Sequence, residues 1–341
     1  MKILIVGSDK IFAIENFFAK YLEEGGVDIC RFSAQTFFFD YYQKSIFNKL
    51  LFRSGLSTIY KRINADFKKV IVDADPDVIF VFKGMEISPG SLRWARERGI
   101  KLVNYNPDNP FIFSGKGSGN RYVKESIGLY DLHLTYNTVV QKRIQEEYSI
   151  PTFVIPFGFD IADDLYKKCV VEPEIVKACF LGNPDSYRGE FLNELAGKGI
   201  QIDVYGHYWQ KFVDHENITV HKAVLGDDFW ITLRKYRVQL NLMRPHNPDT
   251  HNMRSFEVPG VGGIQLAPDS IDHKTYFEPG KEIFLYKDLD ECCRQIKKIL
   301  ALDATEAGKI RDQARKRSID SEYTYKDRSM QALERIKEMY A

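Results

Sequence analysis

The sequence predicts an α/β protein built as two successive doubly wound halves, each a mostly parallel sheet with helices on its faces. Three observations carry this expectation. Short apolar runs such as Lys2–Val6, Val78–Phe82, Ala178–Leu181 and Val238–Met243 alternate with longer segments whose apolar residues recur at helical spacing. Most of these runs stop at glycine-rich or polar loops, where open α/β sheets hold their ligands. The alternation then restarts after Pro156-Phe-Gly-Phe-Asp160, and a length of 341 residues suits two domains, each with its own core.

The first half opens with the strand Lys2–Val6, the turn Gly7-Ser8 and a helix whose stripe is Ile14, Phe17, Phe18, Tyr21 and Leu22, closed by Gly25-Gly26. A single glycine in that first turn leaves the G-x-G-x-x-G fingerprint unmet and argues against an NAD-binding domain. The strand Val27–Phe32 and a mostly helical, aromatic-rich region, Gln35–Val72, follow. Asp73-Ala-Asp75 has the D-x-D form that holds a metal in some sugar transferases, but its place before Pro76 and a strand marks it as a turn.

Strand Val78–Phe82 leads into Lys83-Gly-Met-Glu86, and Ser88-Pro89 opens a helix that Gly99 closes. Strand Lys101–Tyr105 leads into Asn106-Pro-Asp108-Asn-Pro110, and the glycine-rich 114–119 segment comes next. Lys83, Glu86, Asn106 and Asp108 are candidate ligand contacts because they sit just past strand ends, although each alone also suits an ordinary turn. Strand 130–136, helix 138–148 and strand 152–155 complete residues 1–160, and 161–173 is expected to be charged and irregular.

The second half, 161–341, repeats the pattern: strand Ala178–Leu181 with the loop Gly182-Asn183 to Arg188-Gly189, a helix 190–196, and strand Gln201–Val204 ending in Tyr205-Gly206. Strand 218–221 leads to Val224-Leu225-Gly226, a helix covers 227–236, and strand Val238–Met243 feeds Arg244. Strands 263–267 and 282–286 and helices 289–302 and 305–318 follow, and a last helix, about 325–339, is long enough to return to the first domain.

The densest chemistry lies between Asp249 and Gly263, where Asp249, His251, Arg254, Glu257, Gly260, Gly262 and Gly263 stand close together, with His246 just upstream. The run predicts a short helix whose Arg254 and first-turn amides face an anion, with Glu257 free to accept hydrogen bonds from a diol and a glycine turn behind it. A solvated helix with an Arg254–Glu257 i,i+3 ion pair before an ordinary turn is the equally open alternative.

Bulk properties exclude more than they identify. A balance of 48 Lys and Arg against 47 Asp and Glu gives a net charge of +1 and no field to attract nucleic acid. The five cysteines are odd in number and lack metal-ligand spacing, which favours a reducing, cytoplasmic setting. No apolar run approaches the ~20 residues of a membrane span. One local exception stands out: between Tyr42 and Lys69, Lys44, Lys49, Arg53, Lys61, Arg62, Lys68 and Lys69 face one acid, Asp66, with aromatic and aliphatic residues interleaved. Such a surface suits peripheral contact with the inner membrane surface or an anionic acceptor, while a helix pair packed on the sheet is the plainer expectation.

Taken in order, Phe82-Lys-Gly84, Pro156-Phe-Gly-Phe-Asp160, Phe180-Leu-Gly-Asn183, Val204-Tyr-Gly206, Asn252-Met-Arg-Ser-Phe-Glu-Val-Pro259, Gly262-Gly263 and Phe277-Glu-Pro-Gly-Lys-Glu282 resemble the GT-B glycosyltransferases, more narrowly the group related to spore maturation protein CgeB. The resemblance spans nearly the whole chain. It implies two Rossmann-like domains facing a cleft, with 1–160 binding the acceptor, 161–341 binding the nucleotide-sugar donor, and the last helix crossing back. Sugar transfer of the hexosyltransferase type to a cell-surface glycan or lipid-linked acceptor follows, with no cofactor beyond the donor and no metal.

Retaining members carry E-x7-E. Glu257 holds the second place, for the donor ribose, and Asp249, eight positions earlier, stands where the first Glu is usual. Arg188 stands where Lys is usual and Asn183 where Arg is, so Arg188, Arg254 and Arg244 become the candidates for stabilising the departing diphosphate. Arginine suits that task because its planar fork reaches two phosphate oxygens at once. Gly182, Tyr205, Gly206, Leu225, Gly262 and Gly263 complete the implied donor site, and Lys83, Glu86, Asn106 and Asp108 the acceptor side. A nucleotide-sugar 2-epimerase of the same fold, or a non-catalytic nucleotide- or carbohydrate-binding partner in glycan assembly, fits the same residues.

Overall fold

The computed structural model describes residues 1–113, 117–243 and 250–340, and the chain divides into two compact units, Met1–Pro156 with Tyr325–Ala341 and Phe157–Thr324. The break falls inside the Pro156-Phe-Gly-Phe-Asp160 run rather than after it.

Unit 1 is a six-stranded parallel sheet in the order β2-β1-β3-β4-β5-β6, with β1 Lys2–Val6, β2 Asp28–Phe32, β3 Val78–Phe82, β4 Lys101–Asn106, β5 Leu132–Thr135 and β6 Thr152–Val154. Val78–Phe82 is apolar at every position and buried at every position, which is what helices on both faces of a parallel sheet require. On one face Leu4, Val6, Ile79, Val81 and Leu102 pack against Ile63, Phe67, Leu92 and Ala95. On the other, Phe18 meets the rings of Phe80, Phe82 and Tyr105 at 5.3 to 5.9 Å. The helix Tyr325–Glu338 closes this unit: Tyr325 stacks on Phe17 at 4.6 Å and Arg335 lies over Phe153.

Unit 2 repeats the architecture in the order β12-β11-β10-β7-β8-β9, with β7 Ile175–Leu181, β8 Ile202–Tyr205, β9 Ile218–His221, β10 Tyr236–Leu240, β11 Gln265–Pro268 and β12 Phe284–Tyr286. Each sheet has one point where the winding reverses, between β1 and β3 in unit 1 and between β7 and β10 in unit 2. The strand ends beside such a point splay apart and leave room for a ligand.

Local chemistry corrected several sequence expectations. The helical region 35–72 is three helices, Ala34–Lys44, Ile46–Arg53 and Ile59–Ala74, because Ser45 caps the second one and Ser54-Gly55, with Gly55 at φ +76°, ends it. The 161–173 segment, expected to be irregular, holds the helix Asp163–Val171, which buries Cys169. The helix expected at 190–196 begins at Ser186, since the Asp185 side chain accepts from the Arg188 amide at 3.0 Å. Arg188 is thereby a first-turn helical residue rather than a loop residue.

Candidate functional site

At the carboxyl edge of the unit 2 sheet, the ends of β7, β8 and β9 surround a pocket of about 190 Å³ lined by Gly182, Asn183, Tyr205, Gly206, Val224 and Arg254, with Phe229 and Leu225 beside them. Below the ~300–1,000 Å³ of a whole-ligand site, it suits one ring or headgroup of a larger molecule. Its floor is built for rigidity. Gly206 approaches so closely that a Cβ there would stand 2.4 Å from the Gly182 carbonyl oxygen, so no side chain fits at this position. Tyr205 stacks on His221 at 4.4 Å, and its hydroxyl joins that of Tyr236 at 2.8 Å, which donates to Asp203 at 2.6 Å.

Arg254 opens the short helix Arg254–Gly260 and forms the pocket wall. Its guanidinium lies 4.5 Å over the Phe229 ring and donates to Glu257, and its Nε is buried with no hydrogen-bond partner among the described residues. Glu257 is 6% exposed; burial raises its carboxyl above the usual range, while Arg254 pulls it down. The i,i+3 ion pair anticipated as the plain alternative is present, but with its carboxylate in a nearly dry setting and its arginine on a pocket.

Other predicted donor residues are elsewhere or otherwise engaged. Gly262 and Gly263 do not line this pocket: their amides donate to Pro259 O and Val258 O at 2.9 and 2.8 Å, ending the helix. A Cβ on Gly263 would meet Leu233 O and Val258 Cγ1 at 2.8 Å, so this glycine answers to packing. Arg188 is also a brace: its fork donates to Leu242 O at 2.8 and 3.3 Å and to Asn183 O at 3.0 Å, tying the loop after β7 to the end of β10 across the winding reversal. His251 is buried, bonded through Nδ1 to Asp272 at 2.7 Å, and accepts the Phe157 amide on Nε2 at 3.4 Å, which gives it a structural task. Arg244, His246 and Asp249 lie outside the described residues.

In unit 1 the sequence-predicted residues gather at the carboxyl edge of the sheet. Lys83, held at φ +61° just past β3, pairs with Asp108 at 2.6 Å and donates to Gly117 O at 2.5 Å. Asn106 accepts the Asp108 amide at 3.0 Å and keeps a buried Nδ2 without a partner among the described residues. Glu86 is 6% exposed, and burial lifts its carboxyl to about 7, with Lys83 lowering it and Glu15 adding to the rise.

Glu15 was missed by sequence reasoning. It is buried at the start of the first helix and accepts the Ser8 amide, leaving no room for a side chain at Gly7. The available signal was an acid at one end of the Phe18, Ala19, Leu22 stripe, at i, i+3, i+4 and i+7. Phe229 and Ala223, also on the unit 2 pocket, carried no signal, since nothing local distinguishes them.

Residues 188–334 match the family described as glycosyl transferase-like. The fold is GT-B. Sucrose-phosphate synthase from Thermosynechococcus elongatus superposes with a TM-score of 0.70 at 10% identity, over 100% of this chain and 99% of that one. A glycosyltransferase from Rickettsia africae gives 0.68 at 14% identity, over 99% and 98%. UDP-GlcNAc 2-epimerase from Neisseria meningitidis gives 0.60 at 13%, over 99% and 100%. No curated protein matches the chain. The matched family segment begins at Arg188 and contains most of the unit 2 pocket, including Tyr205, Gly206 and Arg254, together with Glu257, the ion-pair partner of Arg254.

Proposed function

We propose that the chain is a glycosyltransferase that moves a hexose-type sugar from a nucleotide-sugar to a cell-surface glycan or lipid-linked acceptor, with retention of configuration, arginine rather than metal carrying the leaving-group charge, and a CgeB-like ancestry. The observation that carries this reading is the Arg254–Glu257 pair: a buried carboxylate held beside an arginine that forms the wall of a ring-sized pocket and keeps an unpartnered N–H. A ribose diol would donate to the free oxygen of Glu257, and the leaving diphosphate would take the remaining N–H groups of Arg254. Preorganised cations at the point where charge develops lower such barriers by several kcal/mol.

In the same reading, the edges of Tyr205-Gly206 and Leu225 hold the base. Unit 1 binds the acceptor in this reading, with Lys83 and Asp108 orienting a hydroxyl and Glu86 as the group that receives its proton. Arg188 acts indirectly, by fixing the loop that carries Gly182 and Asn183.

Calorimetry of nucleoside diphosphates against the protein and its Glu257→Ala variant tests the donor assignment. Loss of one hydrogen bond to a charged group predicts affinity weaker by roughly 1.5–3 kcal/mol. Unchanged affinity removes Glu257 from the site. The epimerase-like neighbours favour one rival reading, and incubation with nucleotide-sugar alone separates the two: slow hydrolysis fits a transferase, an epimerised donor fits the rival. Donor bound but never turned over, with glycan or lipid acceptors present, would mark a non-catalytic binding partner.

A further inference from the structure

The helix Ile46–Arg53 of unit 1 fully buries none of its residues, although its sequence, Ile-Phe-Asn-Lys-Leu-Leu-Phe-Arg, is mostly apolar. One face is accounted for: Phe52 packs against Phe38 and Tyr60, with ring centroids 4.8 and 5.5 Å apart. The other face is not. Ile46, Phe47 and Leu50 are 77, 67 and 58% exposed, and Leu56, in the turn that follows, is 73% exposed. A single exposed apolar side chain is ordinary. Four on one short helix and its turn make a contiguous patch of the kind that marks an interaction surface.

The surroundings say which kind. Lys49 and Arg53 lie on the same helix, Lys44 just before it, and Lys61 and Arg62 on the helix Ile59–Ala74 that follows; all are exposed except the half-buried Lys49, and none of the five forms an ion pair among the described residues. Asp40 and Asp66 share a surface hollow with Lys44 and Arg62, and two acids against five cations leave the region net positive. Unpaired cations beside exposed apolar side chains match a layer that is apolar inside and anionic at its face. A second copy of the same face would bring five cations against five. A nucleic acid would meet the cations and leave the four apolar side chains in water. Among the described residues no helix is long and apolar enough to cross a membrane, so a bilayer would be met at its surface.

We propose that this face docks on an anionic lipid bilayer, with Ile46, Phe47, Leu50 and Leu56 entering the boundary between headgroups and acyl chains and the five basic residues contacting lipid phosphates. The two contributions act together: buried apolar area supplies depth, and basic residues supply preference for anionic lipid. The inference stands apart from the donor site, since it uses no residue of the unit 2 pocket.

Vesicle flotation of the full chain tests it, with phosphatidylcholine vesicles compared with vesicles that also contain phosphatidylglycerol. The expected result is binding to the anionic vesicles at least roughly tenfold stronger than to neutral ones, and weakened by high salt. Two double variants dissect the face: Phe47→Glu with Leu50→Glu removes the wedge, and Lys49→Glu with Arg53→Glu reverses the rim. Each should lower partitioning roughly tenfold or more while leaving nucleoside-diphosphate affinity and the melting temperature near those of the parent chain, because none of the four residues is buried. Equal affinity for neutral and anionic vesicles, no binding to either, or wedge variants that still float overturns the proposal. So does a dimer in gel filtration that the wedge variant dissociates, which would assign the face to a protein contact.

Discussion

Replacing Glu86 by Gln perturbs a single titration while keeping shape and hydrogen-bonding capacity. The carboxyl is 6% exposed, and burial raises it from 4.5 to about 7, Lys83 opposing and Glu15 reinforcing the rise. A carboxyl that titrates higher in the folded state binds its proton more tightly there than in the unfolded chain. Its contribution to stability is therefore complete below pH ~4.5 and is lost as pH rises through ~7. The gap between 4.5 and about 7 corresponds to about 3 kcal/mol, at ~1.4 kcal/mol per pH unit. Glutamine carries no charge at any pH, so Glu86→Gln escapes that loss. Thermal melts of both proteins from pH ~4.5 to ~8 should show the variant gaining on the parent by roughly 6–12 °C, at the ~2–4 °C per kcal/mol expected for a unit of this size. Titrations of groups that do not interact with Glu86 affect both proteins alike and cancel in the difference. Melting curves that stay parallel across the range would falsify the claim that Glu86 is buried without adequate compensation.

Three further outcomes follow from the geometry. The same substitution should flatten the rise in transfer rate through pH ~7 if Glu86 receives the acceptor proton, and an unchanged pH–rate profile would remove it from that role. Gly263→Ala places a methyl 2.8 Å from a backbone oxygen and from Val258, so a loss of roughly 1–3 kcal/mol in chemical denaturation is expected, and an unperturbed midpoint would mean that the turn yields freely. Arg188→Lys keeps the charge but loses the fork that serves Leu242 O and Asn183 O, so stability should fall by about 1–3 kcal/mol with nucleotide affinity nearly intact; a large affinity loss without destabilisation would return Arg188 to direct contact with the ligand.

Much of the architecture was legible because its determinants are local. Val78–Phe82 and the end of β7, Ala178–Leu181, are unbroken apolar runs, and only strands covered on both faces tolerate them, so the parallel sheets could be placed from composition and spacing. The Ser88 cap was legible for the same reason, accepting from the amide three residues ahead, whereas the Asp185 cap, inside a stretch expected to be a loop, starts its helix earlier than expected. The site was legible in part. The Arg254 and Glu257 spacing announced a pair on one helix face, and Lys83 and Asp108 announced themselves by following strand ends, with Asn106 closing one.

Chain order and side-chain type were enough to determine two doubly wound sheets, a helix returning to the first of them, and a cluster of charge around Arg254 and Glu257. Only the tertiary structure decided which of those charges are available. It turned Gly262-Gly263 from a ligand turn into a helix terminator and Arg188 into a clamp on Leu242, and it brought Glu15 beside the loop after β1, in the field of Glu86. The physical reason is the same in each case. Whether an N–H or a carboxylate faces a ligand depends on whether another part of the chain has already satisfied it, and that partner is set by folding between residues far apart in sequence.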